Sequence, residues 1–236
     1  MSSPLLAGVE PIDDFATFGI HACTTTRDNG SFGTATRDPV REVMERWSQL
    51  RDALAAFGPR LATAQQVHGS RVIRHGTGWA GWLRAPHADG HAAADRGTAM
   101  AVTVADCVPI FLAHPSGAAA LLHSGWRGTA AHIIDEGVRA LQEDGLSADE
   151  LSVHLGPAIC GRCYEVSPEV YQALTGRTVG TPTTVDLRAL IAERARALGV
   201  RRIATSPFCT RCDNHRFFSH RAGDEGRQLA VMVAAE

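Results

Sequence analysis

Residues 99–134, AMAVTVADCVPIFLAHPSGAAALLHSGWRGTAAHII, contain the plan of the chain. Two almost continuous apolar runs, 99–112 and 117–123, read as buried strands separated by the turn signal His114-Pro115-Ser116-Gly117. Strands that are apolar at nearly every position must be covered on both faces, which implies stacked layers. The second run ends in Ser124-Gly125-Trp126-Arg127-Gly128, a tight turn leading into TAAHIIDEGVRALQEDG. There Ile133, Ile134, Val138 and Leu141 form one apolar helical face.

Upstream, residues 39–57 place Val40, Val43, Met44, Trp47, Leu50, Leu54 and Phe57 at helical spacing, with Pro39 in the first turn and Gly58-Pro59 as the stop. Short strand-like pieces follow, LATAQQVHG and RVIRHG, and then a loop, TGWAGWLRAPHADG. Downstream, LSVHLG reads as a strand, SPEVYQALTG and DLRALIAERARALG as amphipathic helices, and QLAVMVAA as a last strand. The fold class expected is α+β: layered mixed β-sheets with helices packed outside, in a single domain over 1–236. Strand order is beyond such a reading.

Composition narrows the chemistry. The 236 residues, 44% hydrophobic and 20% charged, are enough for a substantial core. A formal net charge of -2 gives no footprint for sequence-independent nucleic-acid binding. The start MSSPLLAGVEPIDD has no basic, then apolar, leader pattern, and the most apolar run is broken by Asp106. A cytoplasmic protein without membrane spans is expected, with its oligomeric state left open. All 23 basic residues are Arg, which excludes Schiff-base lysines and lysine-bearing phosphate loops. Anions must be held by Arg or by backbone N–H groups.

Three distant residues form a candidate metal site. His68 ends QQVHG, Cys107 follows Asp106 within the apolar run, and His123 ends AAALLH. Two imidazoles and a thiolate suit zinc, and three protein ligands leave one position for water or substrate. Alternatively, the histidines bond locally and Cys107 is a small buried hydrophobe; His114, His132 and His154 hold comparable positions. The turn after His123 is a candidate anion seat, with Gly125 and Gly128 permitting close approach and Arg127 adding a planar cation. Asp106 needs a partner: it could orient a ligand, pair with an Arg, or handle protons. Arg27, Arg221 and Arg227 lie in polar loops and are candidate substrate contacts. The pairs Cys160/Cys163 and Cys209/Cys212 suggest a structural Cys₄ zinc site, although they lie further apart than in a zinc ribbon.

Taken together, QQVHG, ADCVPI, HSGWRG, GPAICGRCYEV and FFSHR…GR resemble the YfiH-like family, once labelled polyphenol oxidases or laccases and later described as purine nucleoside phosphorylases. The resemblance runs from about Thr24 to the last strand and implies a metal on His68, Cys107 and His123. It implies a zinc-dependent phosphorylase acting on purine nucleosides and phosphate, with adenosine deamination in the same pocket. In that reading phosphate lies near Arg127, and Asp106 is the residue assigned to proton handling. Some bacterial relatives are described as peptidoglycan editing factors, which implies hydrolysis of a muramyl-amino acid precursor as the alternative. A third expectation is a non-enzymatic metal module built on the CxxC pairs. No His-x-His pair occurs, which argues against multicopper chemistry. The tail reads Ser219-His220-Arg221, where the family often has two arginines after the serine.

Overall fold

The computed structural model describes residues 6–236; Met1–Leu5, the start of the stretch read above for targeting, lie outside the described residues. In chain order the strands are β1 (Glu10–Ile12), β2 (Ile20–Thr24), β3 (Arg60–Ala64), β4 (Val72–His75), β5 (Gly81–Ala85), β6 (Gly90–Ala93) and β7 (Thr98–Val104). They continue with β8 (Val108–Ala113), β9 (Ala119–Ser124), β10 (Ser152–Leu155), β11 (Glu165–Val166), β12 (Thr183–Thr184), β13 (Arg202–Thr205) and β14 (Gln228–Ala234). The α-helices are α1 (Val40–Leu54), α2 (Trp126–Ala130), α3 (Ile133–Gln142), α4 (Pro168–Thr175) and α5 (Leu187–Ala197).

Two six-stranded mixed sheets stack face to face. One runs β1-β2-β14-β7-β3-β5, the other β13-β10-β8-β9-β6-β4. The two-residue period of a strand sends its side chains alternately into different cores. In β7, Met100, Val102 and Val104 enter the core between the sheets, whereas Ala99 and Ala101 pack toward Trp47 and Leu50 of α1. In β8, Phe111 and Ala113 face the inter-sheet core, while Val108, Ile110 and Leu112 join Ile133, Leu141 and Ile191 from α3 and α5. The order of layers is therefore helix, sheet, sheet, helices. Both faces of the central strands are dry, so those strands carry no polar alternation.

The run 99–112, expected as one strand, is two. It breaks at Ala105–Cys107, where Asp106 takes a left-handed φ of 77°, and β7 and β8 belong to different sheets. Asp tolerates this conformation better than the β-branched residues around it. The helix expected after Gly128 is also interrupted, because His132 adopts a left-handed φ of 55° between α2 and α3. The loop expected over 77–90 contains β5, a parallel edge partner of β3, in which Trp82 Nε1 donates to Thr63 Oγ1 at 2.9 Å. Glycines and prolines on either side of this strand mimic loop composition. β13, which no sequence pattern marked, pairs in parallel with β10.

Candidate active site

Each of the three metal-ligand candidates sits where a strand of the fold ends or the chain changes sheet. Cys107 lies on the crossing between β7 and β8, and His123 is the penultimate residue of β9. His68 is in the loop after β3, at a left-handed φ of 60°. β8 and β9 pair with Pro109 opposite His123, so Cys107 emerges beside that imidazole. One donor atom from each of His68, Cys107 and His123 lies within 4.8 Å of the others. The two imidazoles stand edge to face, with ring centroids 4.8 Å apart. Burial is graded across the set: His68 is exposed, Cys107 half-buried and His123 buried.

Asp89, which the sequence reading passed over inside a supposed loop, organises the site. The residue is 1% exposed, and its carboxylate accepts from His123 Nδ1 at 2.9 Å. It also accepts the backbone N–H groups of Val67 (3.2 Å), His68 (2.9 Å) and Gly69 (2.7 Å). One buried anion thus orients one imidazole through its Nδ1 and fixes the turn that carries the other. A carboxylate on the remote nitrogen of a ligand histidine is the arrangement metal sites use to set tautomer and ring orientation. Burial pushes the Asp89 carboxyl up, but the His123 and backbone hydrogen bonds prevail and hold it below the usual carboxylate range.

The thiol responds to the same surroundings. Burial pushes Cys107 up, yet the charge of His123 and hydrogen bonds from His123 and His68 bring it down to about 6. Burial pulls His123 down, but the facing Cys107 and the Asp89 bond raise it to about 9. Both shifts run in the same direction, favouring a proton on the imidazole and charge on the sulfur in the metal-free protein. Gly125 explains itself here: a Cβ at that position would stand 2.9 Å from Cys107 Sγ and 3.2 Å from His68 Cδ2. At Gly128 a Cβ would meet the Gly69 carbonyl at 3.1 Å, so both glycines let the turn after β9 close on the ligands.

Two cavities meet at this cluster. The larger, about 570 Å³, is lined by Trp47, Gln66, Trp82, His220 and Arg227 together with His68, Cys107 and His123. The smaller, about 280 Å³, shares His68, Cys107 and His220 and is walled by Asp106, Gly125, Arg127, Tyr164 and Arg221. The Arg127 guanidinium lies 4.4 Å over the Trp126 ring and has no ion-pair partner among the described residues. Arg221 is anchored by two bonds from its guanidinium to the Glu165 carbonyl, both 3.0 Å. Asp106 accepts from Thr210 Oγ1 at 2.6 Å and from the Arg221 backbone N–H at 2.7 Å, which ties the carboxyl-terminal loop to the β7–β8 crossing.

Arg27 does not line either cavity. It donates to the carbonyls of Asn214 and Phe217 and pairs with Asp224, and so braces the loop that carries His220 and Arg221. Arg227 reaches the larger cavity while donating to the carbonyls of Glu225 and Gly226, both at 2.8 Å. His220, which lines both cavities, was visible in the sequence only as a departure from the two-arginine tail. The alternatives His114, His132 and His154 fall outside the three-residue cluster; His114 and His154 pair with Glu150 and Asp14. The two CxxC pairs do meet, as a second cluster of four sulfurs.

No helix among the described residues is long and apolar enough to cross a membrane. A family model described as multi-copper polyphenol oxidoreductase laccase matches residues 21–235. Over 212 residues, 86% of each chain, the sequence is 39% identical to a purine nucleoside phosphorylase, SCO2081, of Streptomyces coelicolor. It is 36% identical over 140 residues, 53% of each chain, to adenosine deaminase RL5 of an unknown prokaryotic organism. The fold superposes on YlmD of Geobacillus stearothermophilus with a TM-score of 0.85 at 29% identity, covering 93% of this chain and 94% of the other. It matches Bacillus licheniformis YfiH with a TM-score of 0.84 at 23% identity, covering 96% of both chains. The match over residues 21–235 and the 39% identity over 86% of the chain show that the chain belongs to the laccase-like YfiH family, and the fold agrees.

Proposed function

We propose that this protein is a zinc-dependent purine nucleoside phosphorylase whose pocket also deaminates adenosine. The observation that carries the reading is the junction of two cavities at a three-donor cluster: one roomy and walled by tryptophan, the other lined by two arginines. A pocket of this larger volume suits a ligand of nucleoside size. The relatives' names point to the same substrates.

His68, Cys107 and His123 are the residues that would hold the ion. Two nitrogens and one sulfur, with Asp89 behind His123, are a donor set fitted to zinc rather than to a cluster of coppers. Zinc bound there supplies Lewis acidity and a lowered pKa for a water at its open position. The protein's own groups do the rest. The nucleoside enters the larger cavity between Trp47 and Gln66, away from bulk water. Phosphate lies in the smaller cavity against Arg127 and Arg221, whose planar guanidinium groups match its oxygens. A phosphate oxygen bonds to ribose C1′ as the bond from C1′ to the purine nitrogen breaks, and the base leaves with a proton. Holding both reactants in place and meeting the charge that develops on the ribose lower the barrier.

His220 borders both cavities, which supports assigning it the transfer of that proton. Asp106, with its oxygens committed to Thr210 and the Arg221 N–H, acts by positioning the loop that carries His220 and Arg221. Gly125 and Gly128 leave room for the anion-side wall to approach the ligands. Arg227 closes the larger cavity near the sugar.

The test is product analysis. Zinc-replete protein given inosine or adenosine with phosphate is expected to release free base and ribose 1-phosphate, and to form inosine from adenosine without phosphate. No base release from either nucleoside, or turnover of a muramyl-amino acid precursor in its place, would overturn the assignment.

A further inference from the structure

We infer that Cys160, Cys163, Cys209 and Cys212 form a second metal site, a tetrathiolate centre for a single zinc ion, separate from the active-site cluster. The four sulfurs all lie within 4.8 Å of one another, and Cys163 Sγ is 3.5 Å from Cys212 Sγ. A tetrahedral ion with sulfur ligands at about 2.3 Å requires sulfurs about 3.8 Å apart. The observed spacing is therefore within small side-chain adjustments of that geometry. A multi-iron cluster, with its inorganic core between the thiolates, needs them further apart.

The backbone around the sulfurs supports the same reading. The N–H groups of Cys160 and Cys212 donate to Cys209 Sγ at 3.2 and 3.4 Å, so the backbone of both turns holds this sulfur toward the other three. Each pair sits on a tight turn, with Cys163 N–H donating to the Cys160 carbonyl at 2.9 Å and Asp213 N–H to the Cys209 carbonyl at 2.8 Å. The turns are held in register from outside as well: β10 and β13 run parallel, and just beyond them Ala158 bridges to Cys209. None of the four cysteines is in a disulfide.

The site has a structural consequence. Of the two segments it joins, the first supplies Ile159 and Tyr164 to the smaller cavity. The second carries Thr210, which donates to Asp106. An ion here clamps together two walls of the anion cavity without touching the reactants.

The experiment is metal counting by mass spectrometry on the zinc-replete full chain, beside His68→Ala and the double variant Cys163→Ser/Cys212→Ser. Wild type is expected to hold one zinc more than either variant, and His68→Ala to keep the tetrathiolate zinc. A cobalt-substituted His68→Ala sample should show the intense sulfur-to-cobalt absorption of four thiolates, and the four thiols should resist alkylation until chelator is added. The inference fails if His68→Ala is metal-free, or if intact-mass analysis of wild type shows disulfides among the four. Loss of the active-site ion alone would leave this result intact, so the two metal assignments fall separately, and neither depends on catalytic turnover.

Discussion

Replacing Asp89 by Asn tests the architecture of the proposed metal site without replacing any of its ligands. Each carboxylate oxygen serves two donors: Oδ1 takes His68 N–H and His123 Nδ1, and Oδ2 takes Val67 N–H and Gly69 N–H. An amide has one acceptor oxygen, so two of the four bonds must go and an NH₂ group then faces donors. Hydrogen bonds to a buried charge contribute about 1.5–3 kcal/mol each, which makes the loss roughly 3–6 kcal/mol. That is a large share of the ~5–15 kcal/mol that holds a domain together. For a chain of this size the melting temperature should fall by roughly 6–24 °C. The His68 turn and the His123 ring both lose their anchor, so zinc affinity should fall about 10- to 100-fold, as it does when the outer partner of a ligand histidine is removed. Thermal unfolding of the metal-free protein and competition with a chromophoric chelator read the two effects separately. Unchanged melting temperature together with affinity within twofold of wild type would refute the claim that Asp89 organises the site.

Gly125→Ala should weaken metal binding with little loss of secondary structure, because its Cβ would lie 2.9 Å from Cys107 Sγ; chelator competition beside circular dichroism checks this. In metal-free protein, alkylation of Cys107 followed by peptide mapping should set in as pH rises through about 6, since a lowered pKa means thiolate is present above that value and lost below it. Reactivity appearing only near the ordinary thiol range would contradict the coupling to His123. Arg127→Ala should raise KM for phosphate at least tenfold with a smaller change in KM for the nucleoside, measured by initial rates. Leu122→Ala, at a position with no solvent exposure between β9 and the helices, should cost about 2–5 kcal/mol in chemical denaturation.

Much of the fold was legible because its signals are local. The helical spacing of Val43, Trp47, Leu50 and Leu54 is enough to form α1, whose buried face is made of those residues. The unbroken apolar runs of β8, β9 and β14 follow from having a core on each side, and they were readable as layers. β5 was hidden because an edge strand pairs on one side only and needs little apolar patterning, and β6 because it is short and rich in Gly and Ala. The break at Asp106 was hidden because apolar residues continue on both sides of it while the chain changes sheets.

For the site, residue types alone left His114, His132 and His154 open beside His68, Cys107 and His123; the family resemblance chose the latter three, and the fold brings them together. What only the tertiary structure decided is who supports them. Asp89 reaches His68 across 21 positions and His123 across 34, and the two cysteine pairs meet across 49. Such contacts have no period in the sequence, because they are set by sheet order and by where strands end. Arg27 shows the converse: a cation in a polar loop looks like a substrate contact until the fold brings Asp224 to it. Side-chain chemistry is written residue by residue, but a charge's partner is fixed only when the chain closes around it.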